Sequence, residues 1–120
     1  MTTLVSFLVV GIGGGLGAML RYGISIIPIT ADFPILTLFT NFLGAVAIGW
    51  ISECHSSPRW ILFWKTGVCG GFITFSTFSL EAVSLFEQRA LLTGGLYVVC
   101  SIVLCFGGIL FGKALHRCFS

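Results

Sequence analysis

Residues 67–78 place hydroxyl and phenyl side chains directly after two adjacent glycines, Gly70 and Gly71, inside an apolar stretch long enough to cross a bilayer. This combination is a poor lipid-facing helix, so it predicts a break near the glycine pair. Non-helical backbone is tolerated at membrane depth only where protein or a polar cavity covers it. The segment therefore predicts a site or a pathway for something small and polar.

The residues after the predicted break have the spacing of two neighbouring helix stripes. Phe75 and Phe78 are three apart and share one face, while Thr74, Thr77 and Glu81 lie on the next. Phenyl rings have a positive edge that favours an anion and a negative face that favours a cation. Packing explains two membrane phenylalanines equally well, and Glu81 is either a proton or cation site or the end of a polar track.

Two further polar side chains interrupt apolar spans earlier in the chain. Asn41 shares a face with Thr37 and brings two N–H donors, which either join helices or line a polar path. Arg21 is followed by Tyr22 near the end of the first span. A cation at that depth is costly and usually functional, although snorkelling to the interface is the alternative.

The last apolar segment carries its polar groups at a four-residue repeat, formed by Tyr97, Ser101 and Cys105. These groups share one helix face, where they line a path or bond a neighbouring helix.

Several classes of function are excluded by what the chain lacks. No nucleophile and base are paired, no His lies in a span and the acidic residues are scattered, so an enzyme is not expected. The five cysteines and two histidines lack zinc-ligand spacing, and the net charge of +2 is too small for a nucleic-acid partner.

Composition determines which elements must hold these groups. The chain of 120 residues is 57% hydrophobic and only 8% charged, which predicts an all-α integral membrane protein with one domain over 1–120. No cleavable signal peptide is expected. A turn containing Asp32 should join the first two spans, the segment 52–59 the next two, and Glu87 to Arg89 the last two. The predicted spans are 4–27, 35–51, 60–86 and 90–112, followed by a polar tail.

Small residues indicate how the spans pack. Glycines recur four apart in the first span, and the second and fourth spans repeat the spacing, which lets helix backbones approach closely in lipid. These are Gly11 with Gly15, Gly13 with Gly17, Ala45 with Gly49, and Gly108 with Gly112. A G-x-G-x-x-A match at Gly13 to Ala18 lacks the βαβ unit that dinucleotide binding requires.

The distribution of Lys and Arg gives only a weak orientation signal. With the N-terminus inside, four cations face inward, namely Arg59, Lys65, Lys113 and Arg117, and two face outward, namely Arg21 and Arg89. Arg21 and Lys65 lie within spans rather than in loops. The Lys/Arg bias normally sets the topology of a membrane protein. A bias this weak is consistent with an ordinary N-inside protein and also with a dual-topology protein that forms antiparallel dimers.

Three motifs occur in an order that resembles the small fluoride channels of the Fluc (CrcB) family. Residues 13–22 resemble GGxxGAxxRY, residues 37–44 resemble TLxxNxxG, and residues 67–78 resemble GxCGGxTTFSTF. Length and span count also match over nearly the whole chain.

The resemblance implies an antiparallel homodimer in the bacterial inner membrane, with two pores that export fluoride passively and lower cytoplasmic fluoride. It implies that the ion passes along the Phe75 and Phe78 edges with Asn41 donating from the facing span. Polar positions map to Ser101 and Tyr97 in the fourth span, Thr77 and Glu81 lie beside the phenylalanines, and Arg21 is a candidate near a vestibule.

The resemblance also implies a structural Na⁺ at the dimer centre, held by backbone carbonyls that map to Gly70 and Ile73. Ile73 departs from the family threonine, which removes a hydroxyl but keeps the carbonyl, and Cys105 stands where a second serine is common. The alternatives are a small multidrug-resistance-type proton-coupled transporter and a helper subunit of a larger complex. The transporter chemistry requires a glutamate in the first span, which has none.

Overall fold

The computed structural model describes residues 2–29 and 33–119, so the predicted turn at Asp32 lies outside the described residues. Within them the chain is all-helical, with four apolar helices or helix pairs long enough to cross a membrane. The prediction of a multi-pass membrane protein with four spans is confirmed. The helices are α1 (Thr3–Ser25), α2 (Ile35–Ser52), α3 (residues 58–72), α4 (Phe75–Glu87) and α5 (Leu91–Phe119).

The third span is composite. It begins as an α-helix over Pro58–Ile61, continues as a π-helix over Leu62–Cys69, and closes with one α-helical stretch over Gly70–Phe72. Ser57 starts it by accepting a hydrogen bond from the Trp60 N–H, with Pro58 in the first turn, where its missing N–H costs nothing. Two extended residues then separate α3 from α4.

The turn between α4 and α5 is short because a single residue adopts the left-handed conformation. Arg89 has φ 63°. The N–H of Arg89 bonds the Phe86 carbonyl, and the N–H of Ala90 bonds the Leu85 carbonyl, so the last carbonyls of α4 are satisfied inside the turn. The two helices can therefore run side by side with no long loop.

Close backbone contact joins α1 to α3 and α2 to α5. A Cβ at Gly17 would overlap the Val68 carbonyl, and a Cβ at Gly112 would overlap the Val46 carbonyl. Only glycine permits these approaches. The predicted packing roles of the Gly13/Gly17, Ala45/Gly49 and Gly108/Gly112 sets agree with these contacts. Gly11 and Gly15 differ, because nothing described lies within 4 Å of a Cβ built there.

The fourth span, α5, ends at Phe119 rather than near Gly112, so the expected polar tail is helical up to Phe119. Glu53, just past the end of α2, holds this extension. Its carboxylate accepts from Arg117 Nε at 3.3 Å and Nη2 at 3.4 Å, and lies 3.6 Å from Lys113 Nζ. The Arg117 hydrogen bond, aided by both positive charges, lowers the pKa of Glu53.

Replacing Glu53 by Gln should lower the melting temperature of the purified protein slightly at pH 7. A lowered folded-state pKa gives stability that is present above the unfolded carboxyl pKa and is lost as pH falls through the folded value. The difference between Glu53→Gln and the unsubstituted protein should therefore shrink below about pH 4. Glu87→Gln, at an exposed carboxylate, is the matched control. A Glu53→Gln deficit that persists unchanged at low pH would contradict the ion-pair explanation.

Candidate functional site

The break in the third span lies at Ile73 and Thr74, whose backbones are extended (φ −82°, ψ 142° and φ −138°, ψ 123°). The predicted interruption is present, but Gly70 and Gly71 themselves are helical, two to three residues before it. Gly71 serves another purpose, because a Cβ there would overlap the Gly14 carbonyl of α1. The glycine pair thus marks a helix contact beside the break.

Asn41 of α2 pairs with the backbone at the break through both ends of its carboxamide. Its Nδ2 donates to the Thr74 carbonyl at 3.1 Å, and its Oδ1 accepts from the Thr74 N–H at 3.0 Å. The Thr74 hydroxyl then accepts from the Thr77 N–H at 3.2 Å and starts α4. Asn41 is 6% exposed, so these bonds lie within the protein.

Arg21 of α1 satisfies another carbonyl next to the break. Its Nε donates to the Gly71 carbonyl at 3.2 Å across 50 residues of sequence. The snorkelling interpretation is therefore incomplete, since the guanidinium is half-buried and bonded to α3. Arg21 holds the end of α3 while Asn41 holds the start of α4.

Two carbonyls at the break, those of Gly70 and Ile73, fall outside the regular helical hydrogen-bond pattern. In a continuous helix the Gly70 carbonyl would accept from the Thr74 N–H, which instead donates to Asn41. Ile73 is extended, so its carbonyl is outside the helical pattern. Carbonyl oxygens suit a hard cation such as Na⁺, and neither oxygen depends on the side chain at 73. The residues therefore fit the predicted cation ligands.

A groove of about 220 Å³ lies on one side of the break, and we call it the phenyl groove. Phe75 and Phe78 form one wall, with ring centroids 5.4 Å apart, and Phe75 is 77% exposed. The groove is lined by Asn41, Ile73, Thr74, Phe75, Phe78, Ser101, Ile102, Cys105 and Phe106. Four predicted pore residues, Asn41, Phe75, Phe78 and Ser101, meet in it, together with Ile73, a predicted cation ligand.

Helix α5 contributes the Ser101 hydroxyl to the phenyl groove. Ser101 is 6% exposed, and its hydroxyl makes no hydrogen bond to any part of the chain that the structure describes. A buried hydroxyl without a partner costs roughly 1–3 kcal/mol. Ser101 therefore favours a polar occupant of this largely apolar groove.

Tyr97 lies behind the groove rather than in its wall. The side chain is fully buried, with its ring 5.2 Å from Phe78 and 5.5 Å edge-on from Phe33. Its hydroxyl lies near the Thr37 and Glu81 pair without completing a hydrogen bond of normal geometry. Tyr97 thus supports Phe78 from behind.

A second groove of about 190 Å³, which we call the hydroxyl groove, lies on the other side of the break. It contains the predicted residues Arg21 and Thr77 and shares Thr74 with the phenyl groove. Its lining is Arg21, Ser25, Leu36, Thr37, Thr40, Thr74 and Thr77. A guanidinium surrounded by hydroxyls can attract and solvate an anion.

Glu81 lies outside both grooves, in an open recess with Ser84, Gln88 and Thr93. The Thr37 hydroxyl donates to its carboxylate, which ties Glu81 to a wall residue of the hydroxyl groove. The predicted stripe of Thr77 and Glu81 therefore continues past the hydroxyl groove instead of following the phenylalanines.

Sequence reasoning missed several wall residues. Ile102 and Phe106 line the phenyl groove, but in sequence they resemble any lipid-facing residue of α5. Ser25 of the hydroxyl groove lies at the last position of α1, where a serine in the sequence is equally consistent with an ordinary helix end. Thr40, one turn after Thr37, carried a signal in its spacing.

Comparison with known proteins identifies relatives over nearly the whole chain. Residues 8–113 match the family described as CrcB-like protein, camphor resistance (CrcB). A fluoride-specific ion channel FluC of Ruminiclostridium cellulolyticum is 41% identical over 98% of this chain and 96% of that protein. FluC 1 of Listeria innocua is 41% identical over 91% and 98%, and FluC of Pyrococcus horikoshii 49% over 64% and 68%.

Replacing Arg21 by Met should lower the free energy of unfolding by about 1–3 kcal/mol, because the Gly71 carbonyl loses its charged donor. Denaturant titration of the purified protein measures this. Lys65→Met, which removes an exposed cation of α3, is the control and should have a smaller effect. Equal effects of the two substitutions would show that the Arg21 bond to the break contributes nothing specific.

Proposed function

The chain belongs to the CrcB-like family, and from that membership we propose that it is a fluoride-specific ion channel through which fluoride leaves the cell passively. The relatives named above are channels, and the membrane-spanning helices of this chain agree with that activity. An enzymatic function has no support.

The observation that carries the proposal is the set of polar groups in the phenyl groove. Asn41 and Ser101 bring donors to a space whose walls are otherwise mostly apolar, and the Ser101 hydroxyl has no described protein partner. Phenyl edges at Phe75 and Phe78 offer weakly positive hydrogens to an anion. Such a site suits a small anion that arrives without its water.

The chemistry of the groove fits fluoride in particular. Fluoride is small and strongly hydrated, so a pore must replace the lost water with hydrogen-bond donors. Amide, hydroxyl and ring-edge hydrogens do so without a fixed full charge, so the ion can leave again, as conduction requires. Arg21 contributes its charge in the neighbouring hydroxyl groove, where an anion would be attracted before it reaches Asn41.

We further propose that the working channel is an antiparallel homodimer with two pores. Phe75 is 77% exposed and the phenyl groove is open on one side of the chain, so a single copy does not enclose a path. A second copy could close it. The weak Lys/Arg bias is compatible with insertion in both orientations.

A structural Na⁺ between the two copies is part of the same proposal. The carbonyls of Gly70 and Ile73 would hold it, and Gly70 is exposed on the surface of α3. The ion supplies positive charge that satisfies these acceptors from both copies.

A proton-coupled multidrug transporter of similar size is the alternative. It needs a membrane-embedded glutamate in the first span, whereas α1 contains no acidic residue, and Glu81 is hydrogen bonded to Thr37. No observation favours this alternative.

Replacing Phe75 or Phe78 by Ile should reduce passive fluoride flux roughly two- to twelvefold, because a ring-edge interaction of about 0.5–1.5 kcal/mol is lost. A fluoride-selective electrode on proteoliposomes measures the flux without a proton gradient. Phe7→Ile, at an exposed phenyl of α1, is the control and should conduct normally. Normal flux from both groove variants would remove the ring-edge argument, and no fluoride flux from the unsubstituted protein would remove the proposed function.

Antiparallel assembly can be tested with the exposed Cys118 as the only thiol, after Cys54, Cys69, Cys100 and Cys105 are replaced by Ala. A membrane-impermeant thiol reagent should label about half of the molecules from each side if both orientations are inserted equally. Proteoliposomes that pass fluoride are the required sample. Labelling from one side alone would show that all copies point the same way.

A further inference from the structure

We infer that Asn41 is a positioning residue, whose carboxamide replaces a peptide group at the break and sets the direction in which α4 leaves α3. The inference rests in part on the proposed function, because α4 carries the two phenylalanines assigned to the pore. It adds a role to Asn41 that is separate from donating to an ion.

The pairing of Asn41 with Thr74 has the form of a backbone pairing. One residue, in extended conformation, gives its N–H and its carbonyl to a single partner, at 3.0 and 3.1 Å. Two strands exchange hydrogen bonds in the same way. Asn41 therefore does for Thr74 what a neighbouring strand would do in a sheet, inside a helical membrane protein.

Among the natural side chains of this length, asparagine is the one that carries both a donor and an acceptor whatever the protonation state. Aspartate has the shape but, when ionised, has no donor for the Thr74 carbonyl. Leucine has a similar volume and offers neither donor nor acceptor. Glutamine has both groups but sets them one methylene farther from α2, into a space that Asn41 already fills at 6% exposure.

The pairing also limits what Asn41 can offer an ion. The Nδ2 atom carries two hydrogens, and one is bound to the Thr74 carbonyl. One hydrogen therefore stays available to the phenyl groove. The path needs the other donors in its wall, of which Ser101 is the one without a described partner.

The position of Thr74 is what makes this pairing matter for the path. Thr74 precedes Phe75 directly, and its hydroxyl starts α4 by accepting from the Thr77 N–H. Thr74 also lines both grooves. A change in its backbone would therefore rotate the helix that presents Phe75 and Phe78, and would alter both groove walls together.

Amide hydrogen exchange at Thr74, measured by mass spectrometry on the full-length protein in lipid nanodiscs without fluoride, tests the inference. In Asn41→Ala the Thr74 amide should exchange roughly tenfold faster, because its acceptor is lost. Asn41→Leu, which keeps the side-chain volume, should give the same rise. Ser101→Ala, in the same groove but without a bond to the break, is the control and should leave Thr74 exchange unchanged.

The location of the change separates positioning from general destabilisation. A rise confined to the residues around the break, with α5 peptides unaffected, supports the inference. Thr74 exchange within twofold of the unsubstituted protein in both Asn41 variants would overturn it, and so would a uniform rise over all helices. Because the measurement needs no fluoride, a local rise in a protein that fails to conduct would support the positioning role and contradict the proposed function.

Discussion

A peptide group in the membrane interior must find a hydrogen-bond partner inside the protein, since an unsatisfied group in hydrocarbon costs several kcal/mol. The break at Ile73 and Thr74 removes helical partners from several such groups at once. Asn41 takes the N–H and carbonyl of Thr74, and Arg21 takes the carbonyl of Gly71. Two polar side chains, one on α1 and one on α2, thus offset the cost of breaking a helix at that depth.

The same arrangement explains why the grooves lie where they do. Side chains that reach the break must come from helices packed directly against it. Close glycine contacts bring the backbone of α1 against the backbone of α3. The break then separates a groove walled by hydroxyls and Arg21 from a groove walled by phenyl rings. Thr74 belongs to both, so the conformation of one residue shapes both surfaces.

Charge is distributed so that little of it enters the membrane interior. Glu53, Lys113 and Arg117 form a cluster where α2 ends and α5 extends beyond the predicted span. Within the spans, Arg21 is bonded to the Gly71 carbonyl and Glu81 to the Thr37 hydroxyl. The phenyl groove is left with dipoles and ring edges, which bind an anion more weakly than a full charge would.

The sequence alone determined the class of protein, the four membrane spans, most glycine packing faces and the family, because these depend on local composition, spacing and ordered motifs. It also identified Asn41, Phe75, Phe78 and Ser101 as site residues.

The tertiary structure decided that the break falls at Thr74 rather than at the glycine pair. It also placed Arg21 and Thr77 apart from the phenylalanines, put Tyr97 behind the wall, and extended α5 to Phe119. Each of these outcomes depends on a partner that is distant in sequence, namely Asn41 for Thr74, Gly71 for Arg21 and Glu53 for Arg117. Hydrogen bonds across 33 to 64 residues leave no periodicity in the chain, so only the folded arrangement reveals them.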